Sequence, residues 1–157
     1  MLAKNARLLV IDDDDVIRDT LAMSLELEGY RVDQAESGED AISKSKSNFY
    51  NLAIVDWRLP DIEGTKLLGK LKETTPKMVK IMLTGYPSMQ NAVEAVNNRA
   101  DAFLLKPVDF DVLLCKIEEL LKLQEQSEEF SENMMVSYIE TKTKKILQAE
   151  SSKPMKK

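Results

Sequence analysis

Apolar and polar positions divide the first 123 residues into alternating short runs and helical patterns. Residues 7–12 (RLLVID) form a continuous apolar run closed by acids, the pattern of a strand buried on both faces. Over 14–28 the period changes. Ile17, Leu21, Leu25 and Glu28 mark successive turns, Leu21 and Leu25 point inward, an Asp at 13 or 14 is placed to cap, and Gly29 stops the helix. Residues 31–35 (RVDQA) alternate like an edge strand, and Ser37-Gly38 turns the chain into a helix over 39–47. Asn51 to Asp56 is a second buried strand ending in an acid. A loop over 57–63 contains Pro60, Gly64 opens a helix to about Glu73, and Thr74-Thr75-Pro76 ends it. Residues 78–84 are the fourth strand. Gly85-Tyr86-Pro87 turns it, and Ser88 caps a helix reaching Asn98. Residues 101–105 are the fifth strand. After Lys106-Pro107 a last helix starts near Asp109, with Leu113, Leu114, Ile117, Leu120 and Leu121 on its apolar face.

This (βα)5 order predicts an α/β domain with a doubly wound, five-stranded parallel sheet. In such sheets the functional crevice lies beyond the carboxyl ends of the strands, where the strand order reverses. The polar residues ending strands one, three, four and five are Asp12-Asp13, Asp56, Thr84 and Lys106, so side chains far apart in sequence converge on one rim. Residues 124–157 differ. They contain no Gly and no strand pattern. Phe130, Met134 and Tyr138 recur every fourth residue, while Met135, Ile139 and Ile146 make a rougher second stripe. The reading is one α/β domain over 1–123 and a helical C-terminal extension over 124–157 with a frayed end (SSKPMKK).

Charge sharpens that division. Residues 1–123 carry 16 basic and 21 acidic side chains and residues 124–157 carry 6 of each, which together give the net charge of -5. The acidity belongs to the first part, and it argues against direct nucleic-acid binding. No stretch approaches the roughly 18 apolar residues of a membrane span, and the single cysteine, Cys115, forms no internal disulfide, so a cytoplasmic location is expected. Cys115 itself is expected on the buried face of its helix.

Histidine is absent. That excludes Ser-His-Asp and Cys-His mechanisms and histidine-ligated metal, and the chain cannot itself be a phosphohistidine donor. Each candidate taken alone has a plainer reading: acids at 12–15 cap helices, Thr84 and Asp56 suit turns, and a Lys before Pro suits a surface. Their joint placement at successive strand ends changes the balance. Asp12, Asp13 and Asp56 on one rim repel one another and need a hard, oxygen-liganded cation, with Mg2+ favoured at a phosphate-handling site. One Asp then remains as nucleophile, with Lys106 and the Thr84 hydroxyl to neutralise a transferring phosphoryl group.

The motifs LLVIDDDD (8–15), LAIVDWRLPDIEG (52–64), IMLTGY (81–86) and DAFLLKP (101–107), with GYRVDQAESGEDAI (29–42), resemble the response-regulator receiver family of two-component signalling from residue 7 to about 122. The resemblance implies a flavodoxin-like sheet of strand order 2-1-3-4-5. It implies Asp56 as phosphoacceptor, and Mg2+ held by Asp12, Asp13, Asp56 and the backbone carbonyl of Arg58, with Asp13 a direct ligand. It also implies Thr84 as switch hydroxyl, Lys106 as phosphate partner, Phe103 as switch aromatic and a cis Lys106-Pro107 bond. Arg58 and Tyr86 occupy positions that tune hydrolysis in the family. Two departures stand out: four consecutive acids replace the usual two or three, and Phe103 lacks the hydroxyl that many relatives carry.

The implied partners are a histidine kinase as phosphodonor and a downstream protein target. The implied activity is self-catalysed phosphorylation and dephosphorylation, not turnover of an outside substrate. Three outputs stay open for the extension: a stand-alone regulator acting through protein contacts, a receiver cut from a longer transcription factor or hybrid kinase, or a homodimer through the last helices. The terminal helix could equally fold back on its own receiver. A Mg2+-dependent phosphatase with an Asp nucleophile is the alternative from another class, but it needs an acid two residues past the nucleophile, where this chain has Arg58.

Overall fold

A computed structural model describes residues 5–85, 88, 93, 97 and 100–151. The chain divides into two compact units, Met1–Gln124 and Glu125–Lys157. The first contains β1 (Arg7–Ile11), α1 (Asp15–Leu27), β2 (Arg31–Ala35), α2 (Gly38–Ser47), β3 (Leu52–Asp56), α3 (Gly64–Leu68), β4 (Val79–Thr84) and β5 (Ala102–Leu105). The last helix, α4 (Phe110–Ser151), contributes residues to both units. The helix expected over 88–98 falls, single residues aside, outside the described residues, as do Tyr86 and the chain end at 152–157.

All five strands pair in parallel in the order β2-β1-β3-β4-β5, with the order reversing at β1. Side chains alternate across the pleat and build two cores. Leu8, Val10, Ile54, Ile81 and Leu83 face Leu25 of α1 and Leu113, Ile117 and Leu121 of α4. Leu9, Ile11, Val55 and Met82 face Ala41 of α2 and Leu67 and Leu68 of α3. A sheet covered on both faces explains why β1 and β3 read as apolar runs and why β4, apolar but for Lys80, is buried throughout, while β2, at the edge, is more polar and partly exposed.

Local chemistry sets the helix ends. Asp14 is the N-cap of α1, its side chain accepting from Ile17 N at 3.0 Å, and Gly29 leaves that helix with φ 99°. Asp109 caps α4 by accepting from Asp111 N at 2.8 Å. Gln124 closes the first unit, its Nε2 donating to the carbonyls of Lys77 (2.8 Å) and Asn51 (3.0 Å).

Two expectations need correction. The helix after Gly64 ends at Leu68, not near Glu73. The Leu68 carbonyl, which would accept from Lys72 N in a longer helix, is held by the buried Lys80 ammonium at 2.6 Å, and Lys72 N turns to Ser45 Oγ at 3.3 Å. Cys115 is exposed, not buried. It lies two residues from both Leu113 and Ile117, about 200° around the helix from each, so it points away from the face they bury.

Candidate functional site

The carboxyl ends of β1 and β3 are neighbours in the sheet, and the acids that follow or end them meet there. Asp12, Asp13 and Asp56 each offer a carboxylate oxygen, and these oxygens all lie within 4.8 Å of one another. Asp12 and Asp56 are 3% and 7% exposed, whereas Asp13 is open to solvent. Lys106 reaches in from the end of β5, its Nζ 2.6 Å from Asp56 Oδ1 and 3.5 Å from Asp12 Oδ2.

The electrostatics of this cluster are mutual. Burial raises the Asp56 carboxyl above its ordinary value, Lys106 pulls it down, and Asp12 and Asp13 push it up, leaving it raised. Burial alone would lower Lys106, but its hydrogen bond to Asp56 and the charges of Asp56 and Asp12 hold it above the usual lysine value. One ammonium cannot compensate three carboxylates. An all-oxygen donor set of this size suits a hard divalent cation such as Mg2+, which keeps several waters and takes few carboxylates.

The backbone holds the other candidates at the same rim. Asp56 pairs with Leu83 in the β3–β4 ladder, which puts Thr84 one residue further on. Thr84 is fully buried, and its carbonyl accepts from Lys106 N at 2.7 Å. The Lys106-Pro107 peptide is cis, as the motif implies. Gly64 packs directly against the Asp56 backbone: a Cβ there would sit 2.3 Å from the Asp56 carbonyl oxygen. Only glycine allows this approach. Arg58 is exposed in the loop after β3 and forms an isolated antiparallel bridge with Glu63. Phe103 of β5, paired with Met82 of β4, is half-buried and packs, as do Trp57 and Leu59, against the core on the α2–α3 side of the sheet.

Two positioning residues were not singled out from the sequence. Arg18 donates to the Asp12 carbonyl at 2.7 Å, to Gln34 Oε1 at 3.1 Å and to Asp15 at 2.6 Å, clamping the acid loop to α1 and β2. The only advance signal was its spacing, three residues after Asp15 on a helix. Asp61, in the loop after β3, accepts from Gly38 N (2.9 Å) and Glu39 N (2.8 Å) with its two oxygens, tying that loop to the N-terminus of α2. Nothing in the sequence announced a contact spanning 22 residues.

An apolar groove of about 640 Å3 opens beside Lys106, lined by Val16, Ile17, Leu21, Pro107, Val108 and Phe110 among others. No helix among the described residues is long and apolar enough to cross a membrane.

Comparison with known proteins agrees with this fold. The profile of the response regulator receiver domain matches residues 8–118. Transcriptional regulatory protein GlrR of Escherichia coli K12 is 35% identical over 122 residues, which cover 78% of this chain and 28% of that protein. A CheY-like response regulator receiver domain protein from Methanospirillum hungatei JF-1 is 45% identical, with a TM-score of 0.75 over 78% of this chain and 98% of its own. Response regulator protein TrrA of Thermotoga maritima, solved in complex with Mg2+-BeF, is 35% identical, with a TM-score of 0.65 over 73% of this chain and 98% of that one. The chain spans less than a third of the length of the first curated relatives, 30% and 28%. With five parallel strands in the order 2-1-3-4-5, an acid pocket at the switch point and a matching profile over most of its length, the chain belongs to the response regulator receiver domain family.

Proposed function

We propose that this chain is a two-component receiver that takes a phosphoryl group on Asp56 from a histidine kinase, with Mg2+, and so switches a protein-interaction surface. The observation that carries the reading is the 2.6 Å contact of Lys106 with Asp56 inside a cluster of three carboxylates. In the transfer, an Asp56 oxygen attacks phosphorus and the phosphorus–nitrogen bond of the donor phosphohistidine breaks. The electron pair stays on the leaving imidazole nitrogen. Lys106 neutralises charge on the phosphoryl oxygens, and the Thr84 hydroxyl binds one of them. Asp12, Asp13, Asp56 and the Arg58 carbonyl would hold Mg2+, which supplies a second positive charge to those oxygens when bound.

The phosphoryl group adds about 1.5 to 2 negative charges. Drawing Thr84 toward it vacates space beside β5, into which Phe103 turns; inverting a 1:99 population in this way takes about 5.5 kcal/mol of differential stabilisation. Arg58 and Tyr86 screen the acyl phosphate from water and lengthen its life. The domain over 1–123 performs this chemistry on itself and turns over no outside substrate, and the extension over 124–157 serves output, in the cytoplasm. The groove beside Lys106 is apolar and next to the nucleophile, which suits a helix of the donor protein. A second reading, the receiver part of a longer regulator, is favoured by the share of GlrR that the chain covers.

Trp57, the only tryptophan, adjoins Asp56 and reports the site. Its fluorescence is expected to respond to Mg2+, then again to acetyl phosphate, with the second response lost in Asp56→Ala. A protein whose Trp57 signal ignores both would be a docking module with a receiver fold.

A further inference from the structure

The second unit is a helix whose apolar face is left open. Residues 125–151 are helical, about 40 Å long at 1.5 Å per residue. In proteins most helical stability comes from packing of an apolar face against something else. Met134, Met135, Tyr138, Ile139 and Ile146 fall within one face of roughly 140°, and each is more than half exposed. An apolar face of this size on a solvated helix calls for a partner.

The charges along the same helix say which partner. Between Lys122 and Lys142 there is no basic residue, and the acids are Glu125, Glu128, Glu129, Glu132 and Glu140. Beyond them come Lys142, Lys144 and Lys145, with Glu150 the one acid, and the sequence continues with Lys153, Lys156 and Lys157. The helix is therefore acidic in its first half and basic in its second, and the apolar face lies across the join. A second copy running the other way meets it with opposite charge in both halves. A second copy running the same way sets acid against acid and lysine against lysine.

We infer that residues 125–151 pair with the same segment of a second copy in antiparallel orientation, about a two-fold axis near Ser137. The axis puts the acidic half of each helix beside the basic half of the other and brings Met135 and Ile139 of both copies to the centre. A symmetric dimer of this kind is closed and self-complementary. The inference goes beyond the proposed phosphotransfer and does not depend on it: Asp56 chemistry could fail with the pairing intact, and the reverse.

The test uses the full chain. Sedimentation is expected to show a dimer that dissociates as salt rises, and the triple variant Lys142→Glu, Lys144→Glu, Lys145→Glu is expected to be monomeric. Adding Glu125→Lys, Glu128→Lys, Glu129→Lys and Glu132→Lys to that variant inverts both halves and is expected to restore the dimer. Orientation is read by spin labels at Ser127→Cys and, separately, Ser137→Cys, in a Cys115→Ser background because Cys115 is exposed. Antiparallel pairing separates the two labels at 127 by about 30 Å along the axis, from twenty residues at 1.5 Å each, and those at 137 by almost none. Equal distances at both sites would mean parallel helices and overturn the proposal. A monomer at the highest soluble concentration would overturn it too, pointing to a helix that covers its own chain or another protein.

Discussion

Replacing Asp61 by Ala should cost stability through a contact between two segments. The Asp61 carboxylate accepts from the Glu39 and Gly38 amides at 2.8 and 2.9 Å, at the N-terminus of α2. The Gly38 amide belongs to a buried residue, so without Asp61 it loses a partner that water cannot fully replace. Against this, Asp61 is exposed and its charge is screened, and Ser37 still caps Asp40 N at 3.1 Å. Loss of an N-terminal cap costs about 0.5–2 kcal/mol, and these opposing factors place Asp61→Ala near 1 kcal/mol. Asp61→Asn keeps one acceptor and should cost about half of that. For a domain of this size 1 kcal/mol corresponds to a fall in Tm of roughly 3–6 °C.

The same contact has a pH signature. The backbone hydrogen bonds from Glu39 and Gly38 hold the Asp61 carboxyl below its ordinary value of 3.8. A carboxyl lowered in the folded state contributes stability that is fully present above the unfolded value and is lost as pH falls through the folded one. The gap between wild type and Asp61→Ala should therefore be constant from neutral pH down to about 5 and close below about 4. Urea titrations followed by far-UV dichroism at each pH measure it. A variant within about 0.3 kcal/mol of wild type at neutral pH, or a gap unchanged in acid, would refute the carboxylate tie.

Three further outcomes are expected. Gly64→Ala forces a Cβ to 2.3 Å from the Asp56 carbonyl oxygen, so it should destabilise by about 1–3 kcal/mol and slow phosphorylation; an active, fully stable variant would mean α3 can shift freely. Lys106→Met removes the cation 2.6 Å from Asp56 and should slow phosphoryl transfer from acetyl phosphate by about 100-fold or more, while Mg2+ still perturbs Trp57. Val16→Asp adds charge to the apolar groove at a residue 74% exposed; it should slow transfer from a kinase yet leave acetyl phosphate unaffected, and equal slowing with both donors would remove the groove from donor docking.

What could be read in advance was whatever local pattern fixes. Apolar runs mark β1 and β3, and β4 apart from Lys80, because a doubly covered sheet buries both faces of its central strands. The acids and Lys106 stood out because they follow those runs, and the parallel topology carries strand ends to one rim. Long-range contacts could not be read. α3 stops at Leu68 because a lysine on β4, twelve residues later, takes its carbonyl. Cys115 has the hydrophobic character of a core residue, but its angle to Leu113 and Ile117 puts it on the outer face. The contacts of Arg18 with the Asp12 carbonyl and of Asp61 with the Gly38 and Glu39 amides are made to backbone atoms, which no residue pattern encodes.

Structure and proposed chemistry meet at Asp56. The buried acids make the pocket costly to hold without counter-cations, of which Lys106 supplies one, and under the proposed function the same positive charge receives a phosphoryl group. Intact-mass analysis after incubation with Mg2+ and acetyl phosphate tests this most directly. The account predicts a gain of one phosphoryl group, labile to hydroxylamine as an acyl phosphate must be, dependent on Mg2+ and absent in Asp56→Asn. No mass gain in wild type, or an equal gain in Asp56→Asn, would contradict it.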